Sequence, residues 1–565
     1  MYQELKQAWQ ELTSPGQMFD VETVQVNGAP VRSYVHAPPS LREIWLSSAG
    51  HDQADYLVYD DERYSYAEAH QRVAAIAQWL HRQGVKQGDR VAIAMRNYPE
   101  WMLSYWAVTS MGAVAIGMNA WWVAKEMHYA LADSAPKALI CDEERLNTFA
   151  SIRSDFSQLC VSAVRLEQAA PDWVTEWSEV LATSAELPEV SIAPDDDACI
   201  FYTSGTTGRP KGARLTHRGC VNNLLNVAFI NTVQQLALSR AGNIDATEAQ
   251  SSPPSSLVVT PLFHVTANNC VAQATTLAGG KLVHMYKWDA ERAMQLIERE
   301  QVTTFNAVPM MVREMLIHPK VADYDLSSIK TLGGGGAAVQ PDLVDKINQM
   351  DGAASPNTGY GLTETCGIIA ALSSVFFSNK PESVGPALPT FEAKCVDPLG
   401  EALAPGEIGE LWVRGAPVIK GYLNRPEATA EAITEGWLHT GDIAYMDEDG
   451  FIFLVDRAKD MVLRGGENVY CSEVENALFE HDAVAECAVF AVPDERLGEE
   501  VGAALYLKPG QELSAQQLRD HCALRLAAYK VPRYLWLLEE PLPRNASGKF
   551  LKRQLRESLA VAEAC

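Results

Sequence analysis

An α/β fold follows from three observations on this sequence. Its 565 residues exceed what one hydrophobic core organises, so two or more domains are expected. Strand-like and helix-like segments alternate through the first third, the rhythm of mainly parallel sheets buried between helices. Near residue 440 that texture gives way to hairpin signals and a short βα pattern, which predicts a small α+β domain. The expected division is a large domain over 1–456 and a small one over 457–565.

Each element has a local reason. Ser65 and Glu68 form a capping box ahead of "YAEAHQRVAAIAQWLHRQ", a helix that Gly84 is placed to end. "DRVAIAM" reads as a strand, "PEWMLSYWAVTSMG" as a helix and "AVAIGM" as a strand. The helix-like "AKEMHYALADS" then leads to the strand "KALIC". Trp121 and Trp122 are expected in the core. The polar stretch 239–257, rich in Ser and Pro, reads as a long surface loop. The rhythm resumes at "LVVTPLFH". Further on, Asp449-Gly450 is a hairpin turn. "SEVENALFEH" is helical, "AECAVFAV" and "GAALYL" are strands, and "SAQQLRDHCALRLAAY" opens on a second capping box.

Composition narrows the function. Apolar residues at 47% and charged residues at 21% describe a soluble globular chain. A formal net charge of -26 argues against nucleic-acid binding, which needs a basic face. The eleven cysteines form no C-x-x-C pair and no zinc-spaced cluster, so they read as reduced thiols. The polar start is not a secretory signal, and no apolar run reaches the roughly 18 residues of a membrane span. The expected location is cytoplasmic, with peripheral membrane contact left open.

The strongest chemical signal is "CIFYTSGTTGRPKGARLTHRG", an apolar strand running into a Ser/Thr/Gly loop and a lysine. Gly205 and Gly208 let backbone N–H groups converge on an anion. Thr203, Ser204, Thr206 and Thr207 add hydroxyl donors, and Lys211 adds a point charge. That is a polyphosphate site, though the order of a Walker A loop is absent.

This loop resembles the phosphate loop of the adenylate-forming superfamily, which includes acyl-CoA synthetases, peptide-synthetase adenylation domains and beetle luciferases. "GYGLTET", "LHTGD", "VDRAKDMVLRGGENVY" and "PRNASGK" resemble the family's later motifs, in order along nearly the whole chain. The resemblance implies a large adenylate-forming domain with a small mobile C-terminal lid. It implies ATP, Mg²⁺ and CoA as cofactors, a small-molecule carboxylic acid as substrate, and a monomer or homodimer. Thr203–Gly208 and Lys211 would hold the outer phosphates. Gly336 and Ala337 would border the adenine, Tyr360 would stack on its other face, and Thr363 would contact the α-phosphate. Glu364 would hold Mg²⁺, which prefers carboxylate and phosphate oxygens. Asp442 would accept from the ribose hydroxyls, with Arg457 nearby. Lys549, in a turn-rich stretch where a lone lysine would ordinarily be solvated, would be the catalytic cation. Lys459 falls at the family's hinge, and Gly465 and Gly466 would leave room for a pantetheine arm.

His264, Gly335 and Gly361 correspond to the acyl pocket. The family often carries glycine shortly after this histidine. Here Ala267, Asn268 and Asn269 follow instead, which narrows or polarises the pocket. The expected acid is a medium- or long-chain fatty acid, with aryl and steroid-derived acids as alternatives. Rival readings are an acyl-AMP ligase loading a carrier protein, a luciferase-like monooxygenase and a non-catalytic acyl or nucleotide sensor.

Overall fold

The computed structural model describes residues 2–182, 186–203, 209–242, 252–335, 339, 341–350, 354–458, 460–465, 467–545 and 548–565. Two compact units emerge: Met1–Ala393 with Val413–Leu438, and Lys394–Trp412 with His439–Cys565. The fold is α/β, with a larger N-terminal part built on parallel sheets and a smaller C-terminal part. The boundary expected after Asp456 falls inside the second unit, near the end of strand Phe451–Arg457.

The first unit holds two eight-stranded sheets. In one, the parallel strands Val114–Gly117, Arg90–Ala94, Ala138–Asp142 and Cys160–Val164 form the centre. Strand Asp197–Thr203 joins it parallel to Val114–Gly117, then returns as the antiparallel Lys211–Thr216. The central strands are buried on both faces, which is why they read as continuous apolar runs. The other sheet carries Thr304–Asn306, Thr331–Gly335 and Ser355–Leu362 side by side and parallel, with Gly367–Ser373 returning antiparallel.

Local signals and structure agree closely here. Helix Tyr66–Arg82 has the reciprocal Ser65/Glu68 capping box, and Gly84 beyond it takes a left-handed φ of 81°. Helix Pro99–Ser110 is buried on every side, as its sequence, apolar all round, demands. Two expectations need correction. Trp121 is 47% exposed, its indole covering the Arg96 guanidinium at 4.9 Å, whereas Trp122 packs partly buried on the core. A cation beneath the ring rewards an indole that stays at the surface. The stretch 239–257 is not loop throughout. Helix His217–Arg240 includes its first residues, and Ser255–Val258 is a buried strand; residues 243–251 lie outside the described set. Pairing with parallel neighbours on both sides overrides the polar serines.

The second unit centres on the antiparallel pair Val484–Asp494 and Gly498–Leu507, with Tyr534–Leu538 added in parallel. Helices Cys471–Phe479 and Ala515–Ala523 cover one face, the latter from a Ser514/Gln517 capping box. Residues Lys394–Trp412 join this unit through particular contacts. The Gly441 N–H donates to Glu410 Oε1 at 3.0 Å, and Trp412 stacks on His439 at 3.9 Å. In the hairpin that follows, Gly450 turns with a φ of 83°. All eleven cysteines are free thiols. No described helix is long and apolar enough to cross a membrane.

Burial gives the first unit an acid-sensitive point. His217 is fully buried, and its Nδ1 accepts from the Leu41 N–H at 3.2 Å. Burial lowers its pKa from 6.5 to about 4, against the weaker opposing pull of Asp196. The unfolded chain therefore binds a proton that the folded chain refuses, so stability falls as pH drops from about 6.5 toward 4. Between pH 7.5 and 5 this one group costs about 2 kcal/mol. His217→Asn keeps an acceptor for Leu41 and cannot titrate. Urea midpoints at the two pH values should show a drop smaller by about that amount in the variant.

Candidate active site

The hairpin Asp197–Thr203/Lys211–Thr216 places Thr203 opposite Lys211, at the base of the Ser/Thr/Gly loop. Thr203 Oγ donates to the Lys211 carbonyl at 3.4 Å. Ser204, Gly205, Thr206, Thr207 and Gly208 lie outside the described residues, as do Gly336, Ala337, Lys459 and Gly466. The Lys211 ammonium sits 5.0 Å from the centroid of the Tyr422 ring. Short strand Gly421–Tyr422 pairs along Lys211–Thr216, and the Leu423 N–H donates to the Gly212 carbonyl at 2.7 Å.

Tyr422 is the link that sequence reading missed. Its hydroxyl donates to Glu364 Oε1 at 2.8 Å. Burial, followed by the negative charge of Glu364, raises the Tyr422 pKa, so the phenol remains a donor at neutral pH. One ring thus brings Lys211 and Glu364 into a single cluster. The available signal was its position in "GYLNRP", aromatic between a glycine and a turn.

Glu364 belongs to a tight turn between strands Ser355–Leu362 and Gly367–Ser373. The Leu362 N–H donates to Thr365 Oγ1 at 3.0 Å, and the Cys366 N–H donates to the Thr363 carbonyl at 3.1 Å. The Ile419 N–H holds the Glu364 carbonyl at 3.0 Å. Thr363 and Glu364 are half-buried at the tip of this turn. Tyr360, nearly buried, lies on the incoming strand, which bulges between Tyr360 and Gly361. A bulge re-aims side chains where the ladder ends.

The glycines here answer to clearance. A Cβ on Gly335 would stand 2.3 Å from the Gly359 carbonyl oxygen, and one on Gly361 would stand 1.8 Å from that of Gly367. A Cβ on Gly367 would meet Cys270 Sγ at 2.7 Å. Cys270 sits on the π-helical segment Thr266–Ala272, just beyond His264. Thr266 and Cys270 are its partly exposed members, as is His264 just before it, while Ala267, Asn268 and Asn269 are buried. Asn268 and Asn269 are fully buried.

In the second unit Asp442 and Arg457 are register partners, with Arg457 Nε 3.2 Å from Asp442 Oδ1. The Ala458 N–H donates to the Gly441 carbonyl at 2.9 Å. Gly465 turns with a φ of 60° beside Leu497, whose carbonyl accepts its N–H at 2.8 Å. Lys549 is half-buried; its N–H donates to Asn545 Oδ1 at 3.0 Å and its carbonyl accepts from the Asn545 N–H at 2.9 Å. Arg544, stacked on Phe550, caps this loop by donating to the Gly548 carbonyl at 2.8 Å. Among the described residues no group of three or more His, Cys, Asp and Glu side chains is arranged to hold a metal.

Known proteins place this geometry. A family model described as AMP-binding enzyme matches residues 45–423, which spans Lys211, Glu364 and Tyr422. The chain belongs to the AMP-binding enzyme family. The model for this family's C-terminal domain matches 473–549, ending on Lys549. A feruloyl-CoA synthase of Amycolatopsis is 36% identical over 494 residues, covering 87% of this chain and 93% of the relative. A long-chain-fatty-acid–CoA ligase of Bacillus subtilis is 32% identical, covering 85% and 88%. The o-succinylbenzoate CoA synthetase of Bacillus subtilis, solved with its acyl-adenylate intermediate, superposes with a TM-score of 0.75 at 29% identity, covering 93% and 99%. Membership makes the chain an AMP-forming acid–thiol ligase, a class that works with ATP and CoA.

Tyr422→Phe removes one hydroxyl and leaves the ring beneath Lys211. Glu364 then loses a charge-assisted hydrogen bond, worth about tenfold or somewhat more. ATP–pyrophosphate exchange should fall by roughly that factor, and because the bond is already present in the ligand-free fold, the urea midpoint should fall modestly with it.

Proposed function

We propose that this AMP-binding enzyme is an acyl-CoA ligase for an aryl-substituted carboxylic acid. The observation that carries the adenylating half of this reading is the Lys211–Tyr422–Glu364 cluster beside the phosphate loop. The aryl preference draws support from the 36% identity to a feruloyl-CoA synthase. It also draws support from the glycine-lined strand Ser355–Leu362, whose Gly359 has, among the described residues, only Ile368 Cγ2 within van der Waals contact of an added Cβ, at 3.6 Å. A flat face of that kind suits a planar ring. The fatty-acid reading retains support from the Bacillus relative at 32%.

In this reading the carboxylate attacks the α-phosphorus of ATP, forming acyl-AMP as the bond to pyrophosphate breaks. Lys211 and the loop from Thr203 hold the outer phosphates. Thr363 donates to the α-phosphate, and Tyr360 packs on the adenine. Glu364 suits Mg²⁺: its Oε1 is fixed by Tyr422 and its Oε2 is a hard donor for a small cation. When bound, Mg²⁺ neutralises charge developing on the phosphate oxygens. Asp442 accepts from the ribose hydroxyls, and Arg457, 3.2 Å away, orients its carboxylate. Lys549 places its ammonium between carboxylate and phosphate, where two anions must meet, and so stabilises the transition state. A CoA thiolate then attacks the acyl carbonyl and AMP departs. Rotation at Lys459 withdraws Lys549 for that step, and Gly465 and Gly466 border the thiol path. His264 closes the acyl pocket, with Gly335 and Gly361 on its wall.

Purified protein with Mg·ATP, CoA and a panel of cinnamic, benzoic and fatty acids tests the substrate by mass spectrometry. An aryl thioester formed at least tenfold faster than any fatty thioester is expected; the opposite ranking refutes the aryl assignment. Lys549→Ala should lower adenylation about 100-fold or more. The same variant should convert ready-made acyl-AMP to thioester within about threefold of wild type. An equal loss in both steps would remove Lys549 from its assigned place.

A further inference from the structure

We propose that Asn269 is a positioning residue for adenylation, holding the turn that presents Thr363 and Glu364 through a hydrogen bond to the Cys366 carbonyl. The inference rests on the proposed role of that turn.

Asn269 is fully buried on the π-helical segment Thr266–Ala272. Its Nδ2 donates to the Cys366 carbonyl at 2.9 Å. The orientation of its amide is not arbitrary. Oδ1 accepts from Asn268 Nδ2 at 2.8 Å and from Gln273 Nε2 at 3.0 Å. Asn268 is fixed in turn, because Trp101 Nε1, a donor only, gives its hydrogen to Asn268 Oδ1 at 3.2 Å. Rotating the Asn269 amide by half a turn would set donor against donor on one side and carbonyl against carbonyl on the other. The network therefore delivers one N–H to one place, the carbonyl of Cys366.

That carbonyl belongs to a strained residue. Cys366 is buried, with a left-handed φ of 56° that residues other than glycine seldom adopt. On its far side Asn223 Oδ1 accepts the Ile368 N–H at 2.9 Å, and it stands 2.3 Å from where a Cβ on Gly367 would be. Asn269 and Asn223 thus grip the chain immediately after Thr365 from two elements, the π-helical segment and helix His217–Arg240. Glu364 lies two residues before the gripped carbonyl, held from outside by Ile419 and Tyr422. Without the Asn269 N–H, a buried carbonyl has no donor and the turn can relax out of its left-handed geometry.

The segment that supplies this amide also presents Thr266 and Cys270 on its partly exposed side. One hydrogen bond therefore joins the segment that follows His264 to the turn of Thr363 and Glu364.

Three variants separate positioning from general support. Asn269→Leu removes the donor on the same branched heavy-atom skeleton, and Asn269→Asp, the closer isostere, removes it while the carboxyl is ionised. Asn268→Leu removes both the acceptor of Trp101 and one of the two donors to Asn269 Oδ1, leaving Gln273 to orient the amide that bonds to Cys366. ATP–pyrophosphate exchange should fall about 30-fold in Asn269→Leu and in Asn269→Asp at pH 8, as expected for a buried polar group left unpaired. Thioester formation from ready-made acyl-AMP should stay within about threefold of wild type, and Asn268→Leu, which keeps the donor to Cys366, should lower exchange less than Asn269→Leu does. Protonation restores a donor to the aspartate, so exchange by Asn269→Asp, relative to wild type, should rise at least about fivefold between pH 8 and pH 6. That rise is readable even if the leucine variant fails to fold. Equal losses in both half-reactions, a larger exchange loss in Asn268→Leu than in Asn269→Leu, or a flat pH ratio would overturn the proposal. Glu364→Gln serves as reference. If it leaves exchange intact, the role of the turn itself is wrong; if it lowers exchange and Asn269→Leu does not, only the positioning inference falls.

Discussion

At Gly361 there is no room for a single carbon atom. A Cβ would stand 1.8 Å from the Gly367 carbonyl oxygen, and Gly335 and Gly367 are similarly closed in by backbone or buried amide. Because these strands touch through bare backbone, the turn between them cannot drift sideways or slide in register. Everything proposed for Thr363 and Glu364 depends on that closeness. It also explains why the bulge at Tyr360 is tolerated: the ladder is pinned on both sides of it.

Polar side chains then finish what packing begins. Tyr422 fixes one oxygen of Glu364 while lying against Lys211, so the acid and the cation share one rigid neighbour and need not pair with each other. A direct Lys211–Glu364 salt bridge would neutralise both groups before ligand arrived. Interposing a neutral phenol keeps each charge available, at the cost of one buried hydroxyl that Glu364 itself satisfies. The second unit does the reverse, with Asp442 and Arg457 set opposite one another by strand register and paired directly at 3.2 Å.

The sequence made legible whatever depends on local rules. Capping boxes at Ser65 and Ser514, the glycine turn at Gly450 and the apolar parallel strands could all be read directly, because each is decided within a few residues. The family was legible because its loops carry unusual residues in a fixed order. Residues that matter through distant partners were not. Tyr422 meets Glu364 across 58 positions, and Asn269 meets Cys366 across 97. On the sequence alone, nothing in Asn268 and Asn269 disclosed their bonds to Trp101 and the Cys366 carbonyl. Trp121 misled because an Arg96 guanidinium beneath it makes the surface a good place for an indole. The serines of 255–257 looked like loop until neighbouring strands claimed their backbone.

The small unit is drawn from two separate stretches of chain, Lys394–Trp412 and His439–Cys565. No single cut in the backbone releases either unit whole. A piece starting at residue 457 would abandon Glu410, which holds the Gly441 N–H, and Trp412, which covers His439. It would also lose the strand whose Asp456 carboxylate meets the Ser472 N–H at 3.4 Å, at the start of helix Cys471–Phe479. Exchanging tails between relatives is therefore less like changing a lid on a string than like fitting a new stone to an old socket. The transplanted 473–549 surface would inherit a base shaped by residues far upstream, and the success of such a chimera would depend on how well that base is matched.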